Sequence, residues 1–283
     1  MPELPEVENI AMGLRQSILG RPIDKVACFS PVIIKGSRSE QWQSFLATFA
    51  GRSITSVTRR AKRLILATTD QRALVFQLGM TGKFLLKQRS DDRHKHTHLV
   101  FSFPGDQELH YVDTRRFGRL WLFDCLDPQH PDAAMEAEGM GSLGPEALRL
   151  TSNRFHALLD SQRSIKTLLL DQTRLTGLGN IYADESLFAS GIHPARSSRR
   201  IGSEEATTLL RQIKGVLRRA IRAGGTTFSD FENAYGDIGR FRKRLKVYGR
   251  QGEPCRSCGG PIERIVLAGR GTHICPRCQP QDP

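Results

Sequence analysis

Four cysteines near the end of the chain, Cys255, Cys258, Cys275 and Cys278, restrict its fold more than any other feature. They form two C-x2-C pairs separated by sixteen residues. Paired knuckles at this separation match a tetrahedral site in which four thiolates hold one structural Zn2+. With cysteine at every position, no coordination site is left open for metal chemistry. A pair of disulfides is the alternative, and an intracellular setting disfavours it. Between the knuckles, residues 261–268 and 272–274 can pair as a hairpin around Gly269-Arg270-Gly271. So small a module has little core, and the metal supplies much of its folding energy. Arg270 then sits at the hairpin tip, where a guanidinium suits phosphate. Taken alone, it is no more than an exposed arginine. Cys28 and Cys125 are left over as ordinary thiols.

The formal charge of +13 over 283 residues favours a polyanionic partner and leaves nucleic acid and anionic membrane surfaces in play. Arg240, Arg242, Lys243, Arg244, Lys246 and Arg250 crowd the approach to the cysteines, and Arg59, Arg60, Lys62 and Arg63 form a second cluster. No run of about 20 apolar residues is present, so no membrane span is expected. The N-terminus is acidic and lacks a secretory apolar region, which points to a cytoplasmic protein. The length allows two domains, each with its own core.

Residues 5–19 read as a helix, with Pro5 in the first turn and Val7, Ile10, Leu14 and Ile18 on one stripe. From about 22 to 125 the pattern becomes short strands, at 25–29, 53–59, 64–68, 74–78, 83–86, 98–103, 109–112 and 120–123. Strands at this spacing suggest a sandwich or barrel. Residues 127–144, rich in Pro, Gly and acidic side chains, read as a linker. Helical periodicity follows at 152–159, 165–170, 181–190 and 203–223, then a glycine-rich stretch from Gly224 to Gly239. The expected class is α+β. A helix plus β-sandwich would span 1–135, a helical domain 136–236, and the zinc hairpin 237–283.

The opening Met1-Pro2-Glu3-Leu4-Pro5-Glu6 carries the chemistry. Removal of the initiator methionine would expose a secondary amine beside two carboxylates. An α-amino group has a pKa of about 8, against about 10.4 for lysine, so far more of it is neutral and nucleophilic at neutral pH. Attack on an aldehyde-like carbon gives a Schiff base, and from a secondary amine only the charged iminium. Glu3 and Glu6 would move protons or stabilise the cation. With Met1 attached, Pro2 is an amide and cannot attack.

These pieces together resemble the formamidopyrimidine-DNA glycosylase family. The resemblance rests on Pro2-Glu3-Leu4-Pro5-Glu6-Val7-Glu8, Leu78-Gly79-Met80-Thr81-Gly82, Lys95-His96-Thr97-His98 and Asp113-Thr114-Arg115-Arg116-Phe117-Gly118. It continues through Gly177-Leu178-Gly179-Asn180-Ile181-Tyr182-Ala183 and Val247-Tyr248-Gly249-Arg250 to the cysteines. The family often has Pro at the position of Thr114 and Asp at that of Thr97. The resemblance implies excision of an oxidised purine from damaged double-stranded DNA by a monomer associated with the nucleoid, then strand cleavage by β,δ-elimination. The reaction centre would lie in a basic cleft between the domains.

The resemblance makes Pro2 the nucleophile, Glu3 its acid/base partner and Glu6 a supporting acid. Lys62 would touch phosphate near the lesion. A flipped-out base leaves a gap in the stack. Met80, Arg115 and Phe117 match residues that fill it, Arg116 lies within the same motif, and an apolar wedge suits the task. On residue type alone these would be core methionine, core aromatic and surface arginine. Asn180, within a helix-two-turns-helix motif, and Arg270 would clamp phosphates, although an Asn there can equally cap a helix. Lys166, His96 and His98 would also contact DNA. Residues 224–239 would close over the extruded base. The nearest rival is a relative that prefers oxidised pyrimidines.

Overall fold

The computed structural model describes residues 2–226 and 239–281. The chain divides into two compact units. The first comprises Met1–Gly141 and Ala223–Arg240, and the second comprises Ser142–Arg222 and Phe241–Pro283.

In the first unit, α1 (Leu4–Ile18) opens with Pro5 in its first turn and buries Val7, Ile10, Ala11, Leu14 and Ile18. This is the stripe that its spacing predicts. Two sheets follow. The five-stranded sheet has the order β2 (Ile34–Lys35), β9 (Arg119–Phe123), β5 (Ala73–Gln77), β4 (Arg63–Thr68) and β3 (Ile54–Arg60). The four-stranded sheet has the order β1 (Lys25–Cys28), β7 (Thr97–Phe103), β8 (Gln107–Val112) and β6 (Lys83–Gln88). Phe76 on β5 meets Phe84 on β6 and Tyr111 on β8, with ring centroids 5.0 and 5.1 Å apart, so the two inner faces share one core. All six β4 residues are buried. Arg15 of α1 donates from Nε to the Val57 carbonyl at 2.7 Å and fixes the helix along β3.

The eight strands expected from sequence are present with ends shifted by one or two residues. Three short elements were not anticipated: β2, α2 (Trp42–Ala47) and α3 (Asp132–Ala137). The last corrects the linker reading. Met135 of α3 is buried, Asp132 pairs with Arg60 at 2.8 Å, and Glu138 accepts from the Ser37 N–H at 2.8 Å. The segment is fastened within the first unit by one charge pair and one hydrogen bond that its composition conceals.

The second unit holds α4 (Ser152–Leu158), α5 (Ile165–Leu170), α6 (Asn180–Ala189) and α7 (Ser203–Arg222), then the hairpin β10 (Glu263–Leu267) and β11 (Arg270–Ile274). α6 is buried from Ile181 to Phe188, while α7 keeps one apolar face inward through Leu209, Leu210, Ile213, Val216 and Leu217. Between α5 and α6 the chain makes two turns held by side chains. Asp171 accepts from the Thr173 N–H and hydroxyl at 3.0 and 2.6 Å, and Gln172 bonds the Leu170 and Leu178 carbonyls and the Gly177 N–H. The Thr173 hydroxyl, with Arg163, holds the Asp171 carboxyl below its usual range.

Candidate functional site

The chain begins on a buried turn. Pro2 is buried, and Glu3 and Glu6 are each 2 % exposed. Glu3 caps α1 and forms a capping box with Glu6, whose Oε2 accepts from the Glu3 N–H at 2.8 Å. The other Glu6 oxygen accepts from the Thr226 N–H at 2.8 Å. The second carboxylate therefore ties the N-terminal end of α1 to the segment that follows α7 in sequence and belongs to the first unit. The covering stretch expected at 224–239 begins here, and its residues 227–238 lie outside the described residues.

Lys62 occupies the two-residue turn between β3 and β4, where Arg60 pairs with Arg63. Ala61 adopts a left-handed conformation, φ +54°. That geometry costs a residue with a Cβ about 1–2 kcal/mol. Arg59 offsets it by donating from Nη1 to the Ala61 carbonyl at 2.9 Å and from Nε to Glu8 at 2.8 Å. Glu8 lies in α1, so this arginine links the lysine's turn to the helix that carries the carboxylates.

Met80 and Phe117 are 43 % and 51 % exposed, unusual for large apolar side chains. This places both outside the core. The Arg115 guanidinium lies 4.6 Å from the Phe117 ring centre, and Arg116 stands beside it at φ +56°. Both loops are fixed by Asp113, which is fully buried. Its carboxylate accepts from the Gly118 N–H at 2.6 Å, the Arg115 N–H at 3.3 Å and the Thr81 hydroxyl. Thr81 in turn accepts from the Arg115 N–H at 3.1 Å. Gly79 has φ +63°, and a Cβ there would lie 2.5 Å from the Phe117 carbonyl carbon. A Cβ on Gly118 would lie 2.0 Å from the Tyr111 hydroxyl. The two loops touch backbone to backbone, which only glycine permits. Burial pushes the Tyr111 phenol far above its usual range, with Asp113 adding to the shift. Asp113, Thr81 and Tyr111 were not singled out in sequence, although the first two lie inside the motifs that carry the resemblance.

His96 is half-buried, just ahead of β7. Burial, then the neighbouring His96, Lys83, Lys95 and Lys87, hold the His94 imidazole below its usual pKa, a mark of locally positive potential. His98 departs from expectation. It is 1 % exposed and bonds through Nε2 to the Asp113 carbonyl at 3.0 Å, so it braces the same loop.

In the second unit, Asn180 is the first residue of α6, with Gly179 as its cap. Its Nδ2 donates to the Gly271 carbonyl at 2.8 Å. The same carbonyl accepts from Lys166 Nζ at 3.3 Å. Lys166 is 1 % exposed, pairs with the fully buried Asp184 at 2.6 Å and donates to Thr272 at 2.8 Å. Asp184 also accepts from the His273 N–H at 2.9 Å. This corrects the surface contact expected of Lys166, which is an internal strut between α5, α6 and the hairpin. Arg270 is exposed, and it opens β11 rather than forming the turn, which falls at Ala268 and Gly269. The strut holds it next to the N-terminal end of α6, where backbone N–H groups favour anions.

The four cysteine sulfurs lie within 4.8 Å of one another, with Cys255–Cys278 at 3.9 Å and Cys258–Cys275 at 3.4 Å. Zinc–sulfur bonds of about 2.3 Å require tetrahedral edges of about 3.8 Å, so the set fits one Zn2+. Although its burial acts the other way, backbone N–H groups of Ser257 and Cys258 bring the Cys255 thiol down to about 7, while burial and the neighbouring sulfurs push Cys278 up to about 12. Four thiolates coexist here only around a dication. Phe188, Val247 and Ile262 complete the small core around Cys255 and Cys275.

A helix-capped β-sandwich, a helix-two-turns-helix and a four-thiolate hairpin in one chain define the class of zinc-finger DNA glycosylases. The formamidopyrimidine-DNA glycosylase N-terminal domain matches residues 1–120, the H2TH domain of the same enzymes residues 143–232, and the zinc finger found in FPG and IleRS residues 252–281. The chain belongs to the formamidopyrimidine-DNA glycosylase family. It is 41 % identical over 284 residues to the formamidopyrimidine-DNA glycosylase of Bacillus anthracis, covering 99 % of this chain and 100 % of that one. The Lactococcus lactis Fpg in complex with abasic-site DNA superposes with a TM-score of 0.88 at 34 % identity, covering 99 % of this chain and 100 % of that one. The same enzyme with N7-benzyl-Fapy-dG DNA gives 0.86 at 35 %, with the same coverage.

Proposed function

We propose that this chain excises oxidised purines from duplex DNA and then cuts the abasic strand. Pro2, once freed of Met1, attacks the deoxyribose C1′ through its nitrogen. The C1′–base bond breaks, the base leaves with a proton, and an iminium links protein to sugar. Loss of a C2′ proton then expels the 3′ phosphate, a second elimination expels the 5′ phosphate, and hydrolysis frees the amine. Glu3 handles the protons at the sugar. Glu6, bonded at both oxygens, fixes the turn that presents Pro2.

Met80, Arg115 and Phe117 enter the gap left by the extruded base, and their exposure supports that reading. Lys62, His96 and Arg116 meet the backbone nearby, while Asn180 and Arg270 hold phosphates at the α6 end. Lys166 acts through the hairpin it braces. The zinc supplies no chemistry to the reaction; Cys255, Cys258, Cys275 and Cys278 hold it so that Arg270 stays placed. The protein works as a monomer on cytoplasmic, nucleoid-associated DNA.

The observation that carries this proposal is the pair of buried carboxylates joined head to tail beside Pro2. Borohydride trapping on 8-oxoguanine duplex tests it. Protein shown by intact mass to lack Met1 forms a covalent adduct, and protein retaining Met1 forms none. Equal trapping by both forms would remove Pro2 as nucleophile. Excision of 8-oxoguanine opposite cytosine, compared with thymine glycol, separates this reading from the pyrimidine-preferring rival.

A further inference from the structure

Many arginines of this chain are neutralised by a carboxylate. Arg52, Arg59, Arg60, Arg163 and Arg196 meet Asp70, Glu8, Asp132, Asp171 and Glu205 at 2.5–2.8 Å. Other cations lack such a partner, and in the second unit five of them converge. Arg219 on α7, Lys243, Arg244, Lys246 and Arg256 line a single cavity of about 510 Å³. None of the five forms an ion pair among the described residues. The cavity's one carboxylate, Glu185, is already engaged. It accepts from the backbone N–H groups of Lys246, Val247 and Tyr248, each at 2.9 Å.

The cations stand on fixed backbone. Phe241, Leu245 and Val247 are buried and alternate with the basic residues, and the Arg256 guanidinium donates to the Lys243 carbonyl at 3.1 Å. A flexible basic tail would show neither feature. Convergent, unpaired cations in a concavity of ligand size make an anion receptor. The floor is formed by Phe188, Val216 and Phe241, all at least nine-tenths buried, so no aromatic face is offered for a base to stack on. Charge without a stacking platform selects phosphate over nucleobase.

We propose that this cavity binds the phosphodiester backbone of DNA at phosphates other than those held by Asn180 and Arg270. Asn180 and Phe188 lie at opposite ends of α6, roughly 12 Å apart at about 1.5 Å per residue, which is too far for one phosphate to reach both. The contact is sequence-independent and holds undamaged DNA as readily as damaged DNA.

The test is the salt dependence of binding to an undamaged 40-base-pair duplex. A Lys243→Gln/Arg244→Gln/Lys246→Gln variant is compared with the intact protein, and Arg219→Gln provides a second variant on a different element. Zinc content and melting temperature certify the fold of each. The slope of log K against log salt becomes shallower by roughly 2–3 in the triple variant and by roughly 1 in the single one, at about 0.9 per phosphate lost. Unchanged slopes in both folded variants would overturn the proposal. Titration with inorganic tripolyphosphate identifies the source of the anion. If the variants lose tripolyphosphate binding but keep the full DNA slope, the cavity serves a free polyphosphate and the DNA assignment is wrong. Borohydride trapping reads the Pro2 chemistry separately, so either idea can fail without the other.

Discussion

At the scale of single residues, the proposed chemistry rests on carboxylates that are almost wholly buried. Asp113 is the clearest. Its two oxygens serve three donors from the loops that carry Met80, Arg115 and Phe117. Asparagine keeps the volume but offers one acceptor oxygen, which leaves a buried donor unpaired at a cost of about 1–3 kcal/mol. Asp113→Asn therefore lowers single-turnover excision from a duplex by about 10- to 100-fold. Cleavage of an abasic site in a single strand needs no gap filled and falls less than about threefold. Equal losses on both substrates would show that Asp113 does not act through the gap-filling loops. None of this bracing was legible beforehand. On residue type alone Met80 and Phe117 read as core, and only the resemblance pointed to a gap-filling role. An aspartate ahead of two arginines gives no sign that it turns back to a glycine N–H five residues on. Lys166 misled for a related reason: lysine is almost never buried without a partner, and Asp184 lies in another helix.

At the scale of elements, the sequence was informative wherever a pattern had room to repeat. α1, α7 and the longer strands show their periods plainly, and their limits were close to those observed. β2 has two residues, α2 buries only Phe45 with Leu46, and α3 only Met135, too sparse an apolar pattern to register, whereas α5, equally short, buries Ile165, Leu168 and Leu169. The cysteine spacing gave the metal site outright, because four thiolates at that interval have few other arrangements. It did not reveal that the hairpin is bolted to α6. That joint yields a prediction. Lys166→Met leaves Asp184 charged, buried and uncompensated, and costs about 3–5 kcal/mol in denaturant unfolding. Lys166→Met/Asp184→Asn removes the orphaned charge but keeps an acceptor for the His273 N–H, and so recovers part of that loss. If the double variant is the less stable of the two, the pair is not the strut described.

At the scale of the whole molecule, the proposed mechanism puts Pro2, Glu3 and Glu6 in one unit and the phosphate contacts of Asn180 and Arg270, with the cysteine hairpin, in the other. Chelating the zinc should abolish duplex binding in a gel shift. The same protein, at high concentration, should still give a borohydride adduct with a short abasic single strand. Loss of the adduct as well would show that the chemistry needs the finger. The division also has an order in time. Glu6 waits for the N–H of Thr226, which lies in the late segment Ala223–Arg240 that returns to the first unit. A ribosome must make four-fifths of the polypeptide before the turn around Pro2 can close. Until then Glu6 lacks that partner, so the N-terminal turn is completed only late in synthesis.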